Sequence, residues 1–277
     1  MGNYAQPEVL VETQWVAEHL TDANIRLLEV DFDVTNYEAG HLPGAVFWNA
    51  FTTLLRPDYK INFDKEAIGR LLSQSEITND TTVIIYSGHA AIAPWVFWFL
   101  KGFGHRDVRL MNGGRKKWLA EGRPLTTTLP TPKPTTYRVQ DFDQSFRADR
   151  QAVLGAIRDK ESVLLDVRTP QEYSGEWFML EPPKEGERAG HIPGAAYLYY
   201  ERALQEDGTF KPREELTALY ESQGVTTGKA AITYCAVGIR ASHTWFVLRY
   251  LLGHQQVRNY DASWNDWGRQ SDTPIER

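Results

Sequence analysis

The chain has 277 residues, 42% hydrophobic and 24% charged, with nine tryptophans and a formal net charge of −6. That length fits two ordinary domains, and the acidic balance argues against nucleic acid as the main partner, because phosphate backbones require a basic surface. One cysteine, Cys235, excludes an intramolecular disulfide and a multi-cysteine zinc site.

The opening MGNYAQPEVLVETQWV has no basic segment followed by an apolar one, so no secretory signal is expected. No stretch approaches the roughly 18 to 20 apolar residues of a membrane span. A reduced, cytoplasmic setting without membrane contact is the expectation. In chain order, helical patterns are predicted at residues 13–19, 65–73 and 92–103, and buried strands at 25–30, 83–86 and 108–110. The pattern then returns, with helices at 151–160, 213–223 and 241–252 and strands at 162–167, 230–234 and 256–259. Short apolar runs alternating with helices predict an α/β fold, with mainly parallel sheets flanked by helices on both faces.

The return is a duplication. Gly40-His41-Leu42-Pro43-Gly44-Ala45 recurs as Gly190-His191-Ile192-Pro193-Gly194-Ala195. Leu27-Leu28-Glu29-Val30-Asp31 matches Leu164-Leu165-Asp166-Val167-Arg168, and Val83 to Tyr86 matches Ala231 to Tyr234. Each copy then has an aromatic-rich helix ending in Gly-His, and Asn112 to Trp118 aligns with Asp261 to Trp267. Blocks in constant order over this length mark a repeated domain rather than a solenoid period. Residues 1–125 and 146–277 are predicted as the two domains. The Pro/Thr-rich 126–145 between them reads as a semi-rigid linker. The second copy carries an insertion at 175–188, rich in Pro, Gly and charge.

Cys235 directly follows the predicted strand 230–234 and precedes a helix, so it falls at the carboxyl end of a parallel strand, where α/β sheets bind ligands. The first N–H groups of a helix lack intrahelical partners and carry the positive end of its dipole. A thiol there, with Arg240 nearby, is favoured as the thiolate, the nucleophilic form. A small buried core residue is the plain alternative. The matching position in the first copy is Ser87, with no matching arginine and with Pro94 in the next helix, so the first domain is expected to be catalytically silent. His41 and His191 recur in both copies and read as turn-stabilising residues. No dinucleotide fingerprint, Walker loop or metal-ligand spacing is present, and no cofactor or metal is expected.

These features together resemble a tandem, two-domain rhodanese-type sulfurtransferase. The carriers are Asp166-Val167-Arg168, the paired Gly-His-x-Pro-Gly-Ala motifs, the loop Cys235-Ala236-Val237-Gly238-Ile239-Arg240, and Tyr260-Asp-Ala-Ser-Trp264 followed by Trp267. The resemblance covers roughly residues 10–274. It implies two rhodanese-like domains, each a mainly parallel sheet between helices, and a cysteine that takes a sulfane sulfur as persulfide and passes it to a thiophilic acceptor. Loop N–H groups would then converge on the sulfur as an anion nest, with Gly238 giving the backbone its freedom. Ala236, Val237, Gly238, Ile239, Arg240 and Arg168 are the expected substrate-binding residues, and Asp166 supports them. Asp166 and Arg168 read equally well as a structural ion pair.

The implied partners are a small anionic sulfur donor and an acceptor such as cyanide or a thiol, acting on a monomer. Arg240, a guanidinium suited to oxyanions, favours thiosulfate. The neutral Ala236-Val237 start of the loop and Glu172, where relatives of this type use an arginine, keep 3-mercaptopyruvate open. A persulfide carrier or sensor that docks a partner protein through the 175–188 insertion is a further alternative. A dual-specificity phosphatase needs five residues between its cysteine and arginine, and four stand here.

Overall fold

The structure, a computed structural model, describes residues 3–277. Residues 1 and 2, the start of the first predicted domain, lie outside the described residues. The chain divides into two compact units. One comprises residues 8–143 with 204–210, and the other residues 3–7, 144–203 and 211–277.

The first unit is built from β1 (Leu10–Val11), α1 (Thr13–Glu18), β2 (Ile25–Asp31), α2 (Thr35–Ala39), β3 (Val46–Asn49), α3 (Lys65–Gln74), β4 (Thr82–Tyr86), α4 (Ile92–Gly102), β5 (Val108–Met111) and α5 (Gly114–Ala120). Its five strands lie in the order β1-β5-β4-β2-β3, all parallel. The second unit contains α6 (Arg150–Asp159), β6 (Ser162–Asp166), α7 (Pro170–Ser174), β7 (Ala196–Tyr197), α8 (Arg213–Glu221), β8 (Ala230–Tyr234), α9 (Ile239–Phe246), β9 (Val257–Asn259) and α10 (Ser263–Trp267). Its sheet has the order β7-β6-β8-β9, again all parallel. The fold is therefore α/β, with two parallel sheets flanked by helices. Among the described residues no helix is long and apolar enough to cross a membrane.

The two cores use matching residues. Leu27, Leu42, Ile84, Tyr86 and Trp118 pack together in the first unit, as Leu164, Ile192, Ile232, Tyr234 and Trp267 do in the second. The Tyr86 hydroxyl accepts from the Leu42 amide, and the Tyr234 hydroxyl accepts from Ile192, each at 3.1 Å. Trp118 Nε1 donates to the Pro124 carbonyl and Trp267 Nε1 to the Pro274 carbonyl. These bonds pin the chain that follows α5 in one unit and α10 in the other.

Local sequence sets the helix ends. Asp64 and Asp149 cap α3 and α6 through side-chain oxygens, and Thr169 with Glu172 forms a capping box on α7 behind Pro170. Every residue of α4 except Lys101 is buried, as befits a helix apolar on all sides. Pro94 is harmless there because the first turn's N–H groups have no helical acceptor. The helix predicted at 241–252 starts earlier, at Ile239, and continues past Phe246 as a π-helical turn, Val247–Leu251. The short helices α2, α5, α7 and α10 lack the length for a periodic apolar signal and were not predicted. Residues 127–143 have no regular structure, yet Tyr137 hydrogen-bonds His105 and Phe142 packs on Phe63, Trp98 and Phe103.

Candidate active site

Cys235 follows β8, which lies between β6 and β9, and is completely buried. Its amide donates to Ser263 Oγ at 3.0 Å, and its carbonyl accepts from the Trp264 amide at 3.0 Å. The Ala236 carbonyl accepts from the Asn265 amide at 2.9 Å. The start of α10 thus ties down the residues that open the loop. Ser263 Oγ lies 4.0 Å from Cys235 Sγ and 2.7 Å from the Tyr260 carbonyl.

Gly238 caps α9 in the left-handed region, with φ at 82°. A Cβ there would meet the Asp261 carbonyl oxygen at 2.6 Å, so both conformation and space call for glycine. The Gly238 carbonyl is held by the Ser242 amide and hydroxyl and by Asn259 Nδ2. In contrast, the backbone N–H groups of Ala236, Val237, Gly238, Ile239 and Arg240 find no acceptor among the described residues. Five consecutive unclaimed donors therefore run from beside the sulfur into the first turn of α9.

Arg240 closes the loop on a carboxylate. Its Nη1 and Nη2 meet Glu172 Oε2 and Oε1 at 2.7 and 2.8 Å. Glu172 is fully buried, and its Oε2 also accepts from the Thr169 amide and hydroxyl. Burial alone would lower the Arg240 pKa; the Glu172 hydrogen bonds and charge, with a smaller contribution from Cys235, raise it above its usual value. The guanidinium is thus permanently charged, and already paired.

Arg168 and Asp166 form a second buried pair, at 2.6 Å, and Arg168 Nη2 also reaches the Gly190 carbonyl at 2.7 Å. Its guanidinium lies over the Trp264 ring, 4.3 Å from the centroid. Arg168 is therefore enclosed by the repeated Gly-His motif and by α10. His191 stacks on Tyr173 and bonds its carbonyl, as His41 does with Tyr37, consistent with the turn-stabilising reading.

The first unit keeps this frame and changes its chemistry. The Arg115 amide donates to the Ser87 carbonyl at 3.1 Å, in the position of the Trp264–Cys235 bond. Gly114, aligned with Ser263, shares its left-handed backbone at φ 53° against 51°, but offers no hydroxyl. The guanidinium that bonds Glu29 and the Gly40 carbonyl comes from Arg115, on α5, rather than from the strand end. A pocket of about 90 Å³ beside Ser87 is lined by His89, Pro94, Lys116 and Phe210. Among the described residues no cluster of His, Cys, Asp or Glu is arranged to hold a metal ion.

Ser263 and Glu172 have roles in the site that sequence reasoning did not assign to them. Ser263 had a usable signal, since it replaces a repeat-matched glycine. Glu172 had one in Thr169-Pro170-Gln171-Glu172, a capping-box pattern that places a carboxylate at a fixed helix position.

The model of the rhodanese-like domain matches residues 12–121 and 149–270. The chain belongs to the rhodanese family, with the domain in two tandem copies, and is a rhodanese-family sulfurtransferase. A Thermus thermophilus protein named "Sulfur carrier protein TtuD" is 48% identical over 99% of this chain and 98% of its own length. A Saccharopolyspora erythraea protein named "Putative thiosulfate sulfurtransferase" is 43% identical over 98% and 97%. The solved structure of wild-type EanB superposes with a TM-score of 0.89 at 23% identity, covering all of this chain and 70% of EanB, a likeness of fold.

Proposed function

We propose that Cys235 is the nucleophile that accepts a sulfane sulfur as a persulfide and passes it to a thiophilic acceptor, cyanide or a thiol, with thiosulfate as a donor. The observation that carries this reading is the run of five unclaimed N–H groups beside a cysteine held at the head of α9. Donors so arranged stabilise a thiolate, a persulfide anion or a sulfonate oxygen without any side-chain cation. Asp166 and Arg168 serve as a brace behind the loop. The first domain, with Ser87 in place of cysteine, is read as silent.

In the first half-reaction the thiolate attacks the outer sulfur of thiosulfate. A Cys–S–S bond forms, and the S–S bond to the sulfonate breaks with its electron pair leaving as sulfite. In the second, the acceptor attacks the terminal sulfur and the Cys235 thiolate departs. A carrier reading, in which the sulfur goes to a partner protein, is favoured by one observation: Arg240 is already paired, so charge attraction for a small anion is weak. The name of the Thermus relative agrees with it.

Steady-state transfer to cyanide from thiosulfate and from 3-mercaptopyruvate, alongside Cys235→Ser, tests the reading. Repeated turnover with thiosulfate, lost in the variant, supports it. Faster turnover with mercaptopyruvate reassigns the donor, and one sulfur per chain without turnover supports the carrier.

A further inference from the structure

We infer that Glu172 is the specificity-determining residue of the Cys235 site. By taking both ends of the Arg240 guanidinium, it cancels the loop's only side-chain cation and favours sulfane donors of low charge over the thiosulfate dianion. The inference rests on the persulfide reading of Cys235 and adds the class of donor.

The geometry supports neutralisation rather than loose association. The pair is two-pronged, at 2.7 and 2.8 Å, with the carboxylate fully buried and the arginine side chain 12% exposed. Planar fork-to-fork pairing fixes both groups, and in a poorly hydrated setting the opposed charges cancel at short range. Thr169, the N-cap of α7, adds two more donors to Oε2 and so locks the carboxylate's orientation. Arg240 is not free to swing toward a donor without stranding Glu172. The neighbouring groups supply no replacement. Tyr199 and Tyr200, which interact electrostatically with Arg240, are neutral phenols, and the Tyr200 hydroxyl donates to Glu201. Arg168 is fully buried and its charge is paired with Asp166. What remains for a donor is the backbone N–H run, which suits one anionic end better than two full charges. A thiosulfonate or a small thiol persulfide meets that description, and thiosulfate meets it less well.

The test uses thiosulfate, a dianion, and methanethiosulfonate, a monoanion in which a methyl group replaces one charged oxygen. Both transfer to cyanide, and the ratio of their kcat/KM values reads the charge of the site. Glu172→Gln keeps the α7 cap, because glutamine fills the same capping-box role, while leaving Arg240 unneutralised. The ratio should then move toward thiosulfate by about tenfold, through KM rather than kcat, on a Coulomb estimate with an effective dielectric near 20. Glu172→Gln/Arg240→Gln should return it to the wild-type level. An unchanged ratio in the single variant, or a raised ratio that survives in the double, overturns the inference. Wild-type protein supplies an independent reading: its kcat/KM for thiosulfate should not fall with added salt, and a steep fall would reveal an unpaired cation and contradict us. If mass spectrometry finds no sulfur on wild-type Cys235 from either donor, the persulfide reading itself fails and takes the inference with it.

Discussion

The Cys235 amide donates to Ser263 Oγ at 3.0 Å, and the same oxygen lies 4.0 Å from the sulfur. A buried cysteine is thereby joined to α10 by a side chain that its silent counterpart, Gly114, lacks. The hydroxyl fixes the loop's first residue by accepting from its amide while donating to the Tyr260 carbonyl at 2.7 Å.

Ser263→Ala removes the partner of a buried amide. Leaving that donor unpaired should cost about 1–3 kcal/mol of stability, measured as a lowered urea midpoint, with reduced sulfur transfer. An unaltered midpoint together with full turnover would refute the tether.

Gly238→Ala forces a side chain onto a backbone at φ 82° and against the Asp261 carbonyl at 2.6 Å. The left-handed conformation alone costs an alanine roughly 1–2 kcal/mol, and the contact is with backbone that cannot rotate aside. A thermal melt should show the loss, and transfer to cyanide should fall more steeply than stability because the N–H run is displaced.

Arg168→Met strands the fully buried Asp166. Breaking a buried pair by removing one partner typically costs about 3–5 kcal/mol, so chemical denaturation should show severe destabilisation. A mild effect would place Arg168 in solvent contact, against the geometry described.

His105 predicts a pH dependence. It is buried between the Tyr137 hydroxyl and the Thr81 carbonyl, and burial lowers its pKa from the ordinary 6.5. The folded state therefore favours the neutral ring. Its stabilising contribution is complete above pH 6.5 and declines as the pH falls below that value, where the unfolded chain takes up a proton first. Unfolding midpoints between pH 7.5 and 5.5 should fall, with a shallower slope in His105→Gln. Equal slopes would assign the decline to other groups.

Much of this was readable in the residues. The repeat exposed the doubled frame because core positions such as Tyr86 and Tyr234 do the same work in both copies. Cys235 stood out because the chain's one cysteine directly follows a predicted buried strand and stands a few residues ahead of a predicted helix. The Glu172–Arg240 pair was harder to see. Its members lie on α7 and α9, and a family comparison marks Glu172 only as a missing arginine. Arg240 taken alone suggested an anion-binding cation; a bidentate carboxylate partner is a tertiary fact. Likewise, the shared guanidinium over Gly40 and Gly190 comes from non-equivalent positions, Arg115 and Arg168, so aligning the copies residue by residue conceals it.

The most direct test is the intact mass of the protein after brief exposure to thiosulfate and removal of excess donor. The account predicts a gain of one sulfur atom, located on Cys235 by peptide mapping, absent in Cys235→Ser and discharged by cyanide as thiocyanate. A wild-type mass that does not change, or a sulfur retained in Cys235→Ser, would contradict it.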